Sequence, residues 1–482
     1  MSNSQIPKQV VVLGAGMVGV CCALSLRRRG MAVILIDRRE PGRETSFGNS
    51  GVFSRSSVFP INGPGLLQKL PLYLANRHPA VRWRASLLSN PRWIAGFLAE
   101  CTAQSAARQS RALDGLIKLS MDLNRQLMGG AGLSTHLRET GWLKVWRGGE
   151  GGGLARAEAA ALGAFGIATQ VLDAAEVARF EPHAAGVFKA GLHITGSASV
   201  DDPGAVVAGY AALARALGVE VLRAEARALY RTTTGWRVET TGGSHDGDAV
   251  VVALGPWSAE IMRPAGFRVP MGFERGYHVH LEMTEGRGPQ RAIYDVDGGY
   301  VVSPMRAGAR VTSGVELASR DAPPNTAQID AAALMAQDTF GLGAAVEAEP
   351  WMGSRPTLPD SLPMIGELPG ALGLYAAFGH QHIGFSTGSG TGEIIAAAIA
   401  GEAPPIDTSA FAAGRFAWVA IASMQDMFGL HPTPDPSPSR GGEQCTACLL
   451  AIVEQRDQRR DHAKSPSPSW GGVRGGGRPT IL

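Results

Sequence analysis

"KQVVVLGAGMVGVCCALSLRRRGMAVILIDRRE", residues Lys8 to Glu40, reads as strand, glycine turn, helix, second strand and a closing acid. The apolar run Val10 to Leu13 leads into Gly14, Ala15, Gly16, Met17, Val18 and Gly19, and Asp37 ends a second apolar run, Ala32 to Ile36. Gly14 permits a tight turn off the strand, Gly16 lets backbone amides approach a pyrophosphate, and Gly19 lets helix and strand pack closely. The helix N-terminus then presents unpaired N–H groups and a positive dipole end to phosphate. Arg27, Arg28 and Arg29 sit at the negative end of that helix, and Gly30 suits a left-handed C-cap. Asp37, with Arg38 beside it, is placed to accept hydrogen bonds from a ribose diol. A glycine pattern alone is weak, but strand, turn, helix, cap, second strand and acid agree on one unit, a dinucleotide-binding βαβ fold. The rival reading is a membrane segment, since Val10 to Leu26 carries no charge. Three glycines interrupt it, and it is shorter than the roughly 20 residues a spanning helix needs.

The bulk numbers fit a large soluble protein. The chain has 482 residues, 45% hydrophobic and 18% charged, with a net charge of +3. Such a balance gives no electrostatic footprint for nucleic acid. Five cysteines, Cys21, Cys22, Cys101, Cys445 and Cys448, make no disulfide framework and point to a reducing, cytoplasmic compartment. Cys445 and Cys448 form a lone CxxC without a second pair or histidine spacing, so no zinc site is expected.

Further along, "RETSFGNSGVFSRS", residues 43–56, is small, polar and irregular, a loop suited to lie along a ligand. Residues 61–111 are amphipathic and rich in Trp, Leu and Arg, broken by Pro64, Pro71, Pro79 and Pro91. They read as helices covering a sheet, with a membrane-surface role as the alternative. "DAAEVARFEP" places Asp173 as N-cap with Glu176 three residues on, and "DDPGAVVAGYAALARALGVEVLRA" places Asp202 as cap and Gly218 as helix end before a strand. That strand and "DAVVVALGPWS", residues 248–258, return the chain to a parallel sheet, so the nucleotide domain is discontinuous. "ERGYHVHLEM", "RAIYDVDGGYVVSPM" and "ARVTSGVEL", between 274 and 317, alternate like an antiparallel sheet with one open face. The expected fold is therefore α/β, α+β overall, with an antiparallel-sheet substrate domain inserted into a Rossmann-like domain. Its segments are 1–60, 190–268 and 350–425 for the nucleotide domain, 61–189 and 269–349 for the inserted one, and a disordered, Pro/Ser/Gly-rich tail at 426–482 in which "PSPSRGG" recurs as "PSPSWGG".

In "WMGSRPTLPDSLPMIG", residues 351–366, Arg355 stands in a stretch too rich in proline for helix or central strand. Its fork is either held toward a cavity or engaged in a surface salt bridge. "FGHQHIGFSTGSGTGEIIAAAIAGE", residues 378–402, reads as strand end, glycine-rich turn and a helix from about Ser389 to Ala400. His380 and His382 are candidate ligands or bases, against a structural role beside the turn. No third ligand stands at metal spacing, and no metal is expected.

These motifs, in this order, resemble the FAD-dependent D-amino-acid dehydrogenases within the group that also holds D-amino-acid, glycine and sarcosine oxidases. The resemblance spans about residues 8–420. It implies FAD as the dinucleotide, with Gly14, Gly16 and Gly19 at the pyrophosphate, Asp37 at the adenosine ribose, Thr45, Ser46, Asn49 and Gly255 lining the cofactor, and Gly384 facing the flavin ring. It further implies that Arg355 pairs with the substrate carboxylate, with Tyr277 as a weaker candidate for a substrate hydrogen bond; His382 stays a catalytic candidate from its place beside the glycine turn, and no side chain is required as base if the substrate amine binds neutral. The expected reaction is oxidation of a D-amino or cyclic imino acid by hydride transfer to flavin, giving a 2-oxo acid or an imine. The expected acceptor is a quinone or electron-transfer partner, with possible contact at the inner face of the membrane. An oxygen-using oxidase and a non-catalytic flavin-binding subunit are the alternatives. Sarcosine oxidases attach flavin through a cysteine near the position of Arg355, and this chain has none between Cys101 and Cys445. FAD is accordingly expected to be non-covalent.

Overall fold

Strands that are apolar on both faces belong in the middle of a parallel sheet with helices or further sheet on either side. The computed structural model, which describes residues 8–416 except residue 285, bears this out for β1 (Gln9–Leu13), in which Val10 to Leu13 are fully buried. It lies parallel between β2 (Ala32–Asp37) and β14 (Ala249–Val252). The six-stranded sheet runs β10 (Glu220–Arg223), β2, β1, β14, β22 (Leu374–Phe378), β21 (Met364–Glu367), with only β21 antiparallel. Val10 and Val12 face α1 (Met17–Arg28), α7 (Pro203–Ala216) and α10 (Gly384–Ala400). Val11 and Leu13 face a core shared with Leu229, Trp236 and Val238 of a three-stranded sheet, β11 (Ala226–Arg231), β12 (Trp236–Thr240) and β13 (Gly243–Gly247).

Local signals act as the chain pattern suggests. Gly30 takes φ +84° just past α1. Asp173 caps α6 (Ala174–Phe180) in a complete capping box with Glu176, and the Asp202 carboxylate accepts from Ala205 N at 2.9 Å to start α7. Glycine behaves differently at α10. The expected turn over 384–388 is helix instead, because its glycines mark close helix contacts. A Cβ at Gly392 would lie 2.5 Å from the Cys21 carbonyl oxygen of α1, and one at Gly390 would lie 2.3 Å from Ser120 Oγ of α4 (Ala103–Gly130).

The second large sheet runs β4 (Val81–Trp83), β19 (Val315–Leu317), β15 (Gly272–Leu281), β18 (Gly308–Ser313), β17 (Tyr300–Met305), β16 (Ala292–Asp295), β6 (Trp142–Trp146), β8 (Ala190–Ile194), β7 (Thr169–Asp173), with β20 (Trp351–Thr357) also on β15. It is mixed rather than purely antiparallel, since β16–β6 and β19–β4 are parallel. The face expected to be open is not bathed in solvent: one face packs on α9 (Ala327–Phe340), and the other lines the cavity described below. A small fourth sheet joins β3 (Val52–Phe53), β9 (Ala198–Val200) and β5 (Leu137–Arg138), so the loop at 43–56 contains a short strand.

Two expectations need correction. Strands β8 and β20 lie in the second sheet although they fall inside 190–268 and 350–425, and α4, inside 61–189, packs on α10. Arg355 stands within β20, a strand beside β15 rather than a central one, as its prolines allow; on its other side β20 has only a bridge from Thr357 to His380 and the bond from Gln381 N to Pro356 O (2.9 Å). Pro71 does not break the chain but lies inside α2 (Gly65–Leu74). Helices α3 (Pro91–Ala99), α5 (Gly151–Gly163) and α8 (Ser258–Met262) complete the set. The tail at 426–482 and its CxxC lie outside the described residues.

The glycine contacts make a direct test. Gly392→Ala must push α10 off the α1 backbone and should cost about 1–3 kcal/mol. Gly129→Ala in α4 meets nothing within 4 Å and should hold or raise Tm through helix propensity. Thermal unfolding of the two variants checks this, and equal Tm values would contradict it.

Candidate active site

A cavity of about 1020 Å³ runs from the β1–α1 turn to the inner face of the second sheet. Gly14, at φ +104°, lies so close to β14 that a Cβ would meet Ala253 O at 2.4 Å. Gly19 lets α1 sit on the turn, since its Cβ would lie 1.8 Å from Gly14 O. Gly14, Gly16, Met17 and Val18 line the cavity, whereas Val12, Leu13, Ala15 and Gly19 stand behind its wall as support. The Asp37 carboxylate accepts from Ala15 N (2.7 Å) and Arg39 N (2.9 Å) and faces the cavity. Burial pushes its pKa up, and the two amides and Arg38 pull it back. Arg38 stacks 4.1 Å over the Trp257 ring and pairs with Glu44 at 2.7 Å.

Thr45, Ser46 and Asn49 line the next stretch, with Gly255 at φ +55° opposite in sequence order. Ser46 Oγ accepts from Met17 N (3.0 Å), and Thr45 Oγ1 donates to Ser354 O (3.0 Å). Beneath this loop, buried Arg310 donates from Nη1 to Phe47 O (2.8 Å) and Asn49 O (2.7 Å), and from Nε to His280 Nε2 (3.0 Å). His280 Nδ1 in turn meets the Glu347 carboxylate. His278, His280 and Glu347 gather within 4.8 Å, as metal ligands would. Both ring nitrogens of His280 are taken, one by the cationic Arg310, so the cluster works as a clamp on the loop.

At the far end Arg355 faces the cavity from β20, across the strand pair from Glu274. Its guanidinium lies flat over Gly276, where a Cβ would be 2.3 Å from Nη2, and Nη1 donates weakly to Gly314 O at 3.3 Å. No carboxylate among the described residues comes within 4.0 Å of it. Burial lowers its pKa, and the more distant Glu274 offsets part of that. Glu274 itself is raised by burial and accepts from Thr357 Oγ1 at 2.6 Å. His382 projects into the cavity, and enclosure by protein with the Arg355 and Lys144 cations lowers its pKa to about 4. His380 bonds Thr391 Oγ1 at 2.9 Å and is lowered by burial to about 3. Gly384 lines the wall at the start of α10.

Tyr277 is not in this wall. Residues alternate across β15, so Gly276 faces the cavity and Tyr277 the opposite core with Val279 and Leu281. Its hydroxyl donates to Glu316 Oε2 (2.7 Å) and accepts from Arg275 Nη2 (2.8 Å), a structural role. Sequence reading also missed Trp142 and Lys144 of β6, Tyr294 of β16 and Trp351 of β20, all in the wall. Lys144 sits beside Tyr294 in register and pairs with Glu158. Alternation of Trp142 and Lys144 with buried Leu143 and Val145 was the available signal, but it does not say what the polar face meets.

A family model described as FAD dependent oxidoreductase matches residues 9–398. The chain is 32% identical over 423 residues to a D-amino-acid oxidase of Bradyrhizobium diazoefficiens, covering 85% of this chain and 99% of the relative. It is 31% identical over 425 residues to a D-amino acid dehydrogenase of Cereibacter sphaeroides, covering 85% and 95%. Among solved structures, glycine oxidase from Geobacillus kaustophilus matches with a TM-score of 0.63 at 20% identity, covering 84% of this chain and 98% of that one. The cofactor is FAD. The wall fits it: the cradle at Gly14 leaves no room for a Cβ, and the buried amide of Gln381, a wall residue at φ +51°, has an unpartnered nitrogen.

Two outcomes follow from this geometry. Arg310→Met removes three hydrogen bonds beneath the cofactor-lining loop and should weaken FAD binding about tenfold or more, with Arg310→Lys intermediate. Titration of apoprotein by flavin fluorescence reads this, and unchanged affinity would refute the clamp. His380 and His278 (lowered to about 2), both buried, stay neutral in the fold. The unfolded chain protonates them below about pH 6.5, so stability is full above that pH and falls with acidification, by about 1.4 kcal/mol per pH unit per histidine. In denaturant melts between pH 6.5 and 4.5 the His380→Gln variant should show a shallower slope by about one proton. A slope equal to wild type would exclude His380 from the effect.

Proposed function

The chain belongs to the FAD dependent oxidoreductase family, and we propose that it oxidises a D-amino or cyclic imino acid to a 2-oxo acid or imine, with electrons leaving to a quinone or electron-transfer partner. The observation that carries the substrate reading is Arg355. A cation without a carboxylate within 4.0 Å, at the end of the cavity away from the nucleotide turn, calls for an anionic ligand. A planar guanidinium laid over Gly276 offers two parallel N–H groups, the geometry a carboxylate matches. The D configuration is supported by the relatives at 31–32% identity, a D-amino-acid oxidase and a D-amino acid dehydrogenase.

When bound, FAD supplies a two-electron acceptor for the α-hydrogen of the substrate. In our reading Gly14 and Gly16 lie along the pyrophosphate, Asp37 takes the adenosine ribose, Thr45, Ser46, Asn49 and Gly255 line the cofactor, and Gly384 lies toward the ring. Arg355 holds the substrate carboxylate and so fixes which way the α-carbon faces, a gain in positioning rather than in acid–base chemistry. A proton leaves the substrate nitrogen as the hydride leaves carbon, and the imine takes up water and releases ammonia unless it is cyclic. His382, neutral above about pH 4, is available to accept a proton or a hydrogen bond at the cavity wall. Tyr277, turned into the core, is given no part.

A second reading, direct use of oxygen, is favoured by the relative named as an oxidase. Peroxide formed mole for mole with substrate turnover would establish it over the dehydrogenase.

Arg355→Leu should raise KM for D-amino acids by about a hundredfold or more, from loss of a charge-assisted pair worth about 3 kcal/mol. Gly276→Ala should do the same in part by displacing the guanidinium. Anaerobic bleaching of the flavin band by D- but not L-amino acids reads the reaction itself. Bleaching that persists unchanged in Arg355→Leu would sink the assignment of the arginine.

A further inference from the structure

Helix α2 buries none of its ten residues. Leu67, Leu72 and Leu74 on it are 48%, 40% and 58% exposed, and Leu88 and Leu98, on the following segment and α3, are 62% and 37% exposed. With Phe59, six of the fourteen exposed large hydrophobics among the described residues fall between 59 and 98. Elsewhere they are scattered, which is normal, but a cluster marks an interaction surface. The segment is also charged in one sense: residues 61–111 hold seven Lys/Arg and a single acid, Glu100. Glu100 is already paired with Arg108 at 2.7 Å. Lys69 on α2, Arg77 just after it, Arg92 on α3 and Arg111 are exposed and make no ion pair within 4.0 Å among the described residues.

The platform beneath is firm. Trp93 of α3 is buried against Gly272, stacks on Phe97 at 4.8 Å and donates from Nε1 to Thr357 O at 2.8 Å. Arg92 and Leu98 are therefore held outward on an anchored helix, and α2 joins the strand before it, β4, through Asn76, whose side chain bonds the Trp83 backbone at 2.8 Å and 3.1 Å. The platform also adjoins the cavity: Phe59 lines it and precedes α2 by six residues.

We propose that α2 and the outer side of α3 are a docking surface for an anionic lipid bilayer, the leucines entering the headgroup boundary and Lys69, Arg77 and Arg92 meeting lipid phosphates. Apolar side chains interspersed with unpaired cations on an exposed helix match that partner on both counts. An apolar groove for a protein would not call for three unpaired cations among the leucines, and a second copy of this chain would set Lys69, Arg77 and Arg92 against their own equivalents. Docking here would bring the cavity mouth to the surface where a lipid-dissolved acceptor resides, which refines the acceptor reading above. The docking itself does not depend on substrate.

The test is co-sedimentation of the FAD-loaded full chain with phosphatidylcholine vesicles and with vesicles of phosphatidylcholine and phosphatidylglycerol in equal parts. Partition should be about tenfold or more stronger to the anionic vesicles at low salt and fall as salt rises. It should drop about tenfold in the triple variant Leu67→Ser, Leu72→Ser, Leu74→Ser and again in Lys69→Glu, Arg77→Glu, Arg92→Glu. Turnover with a soluble dye acceptor should be unchanged in both. No binding to either vesicle, or binding that neither variant weakens, would overturn the proposal. So would sedimentation velocity showing a dimer that the leucine variant splits, since the face would then belong to a second copy. These readouts are separate from flavin bleaching by D-amino acids, so either reading can fail alone.

Discussion

Contact between backbones, permitted only where a Cβ is missing, is the constraint on which this structure turns. Gly14 against Ala253, Gly19 against Gly14 and Gly392 against Cys21 bring strand, turn and two helices closer than any side chain would allow. The helix α10 that results is wedged between α1 and α4, so its first residue has little freedom. The same continuous segment, residues 351–400, supplies β20 with Arg355, two strands of the nucleotide sheet and then α10. Distance between the substrate end and the nucleotide turn is thereby fixed within one piece of chain rather than across a hinge.

Electrostatics inside the cavity follow from burial more than from pairing. Two buried histidines near its wall, His278 and His380, are held neutral because a charged imidazole would lose its water. Lys144, Arg38 and Arg320 each have a carboxylate partner. Arg355 does not, and its nearest compensation, Glu274, is offset by one strand and occupied with Thr357. A buried cation left in this condition costs stability until an anion arrives. In the reading proposed above, the substrate carboxylate is that anion.

Much of the fold was legible because its signals are local. The glycine turn with Asp37, the caps at Asp173 and Asp202 and the apolar strands each depend on neighbours within a few residues. What escaped depends on partners far away. Alternation along β15 announces two faces, but only α9 decides that Tyr277 goes to the core and Gly276 to the cavity. Glycine at 384–392 permits both a turn and a tight helix crossing, and only α1 and α4 select the crossing. Lys144 and Tyr294 are neighbours through a parallel pairing across 150 residues, which no local pattern carries. Arg355 was found by its motif, and its prolines ruled out a central strand without saying that the segment lies beside β15.

The acceptor question separates from the cofactor question on physical grounds. Relatives named as an oxidase and as a dehydrogenase match this chain about equally, 32% and 31% over nearly the same length. Residues that hold a dinucleotide are therefore compatible with both outcomes, and discrimination must rest on what reaches the reduced cofactor. Oxygen is small and needs no docking surface. A lipid-dissolved acceptor does, because it cannot cross water to reach a cavity. The exposed leucines and cations beside Phe59 are the surface proposed above for that docking. Vesicle binding through α2 would therefore bear on the acceptor as well as on the surface, while leaving the cofactor assignment untouched.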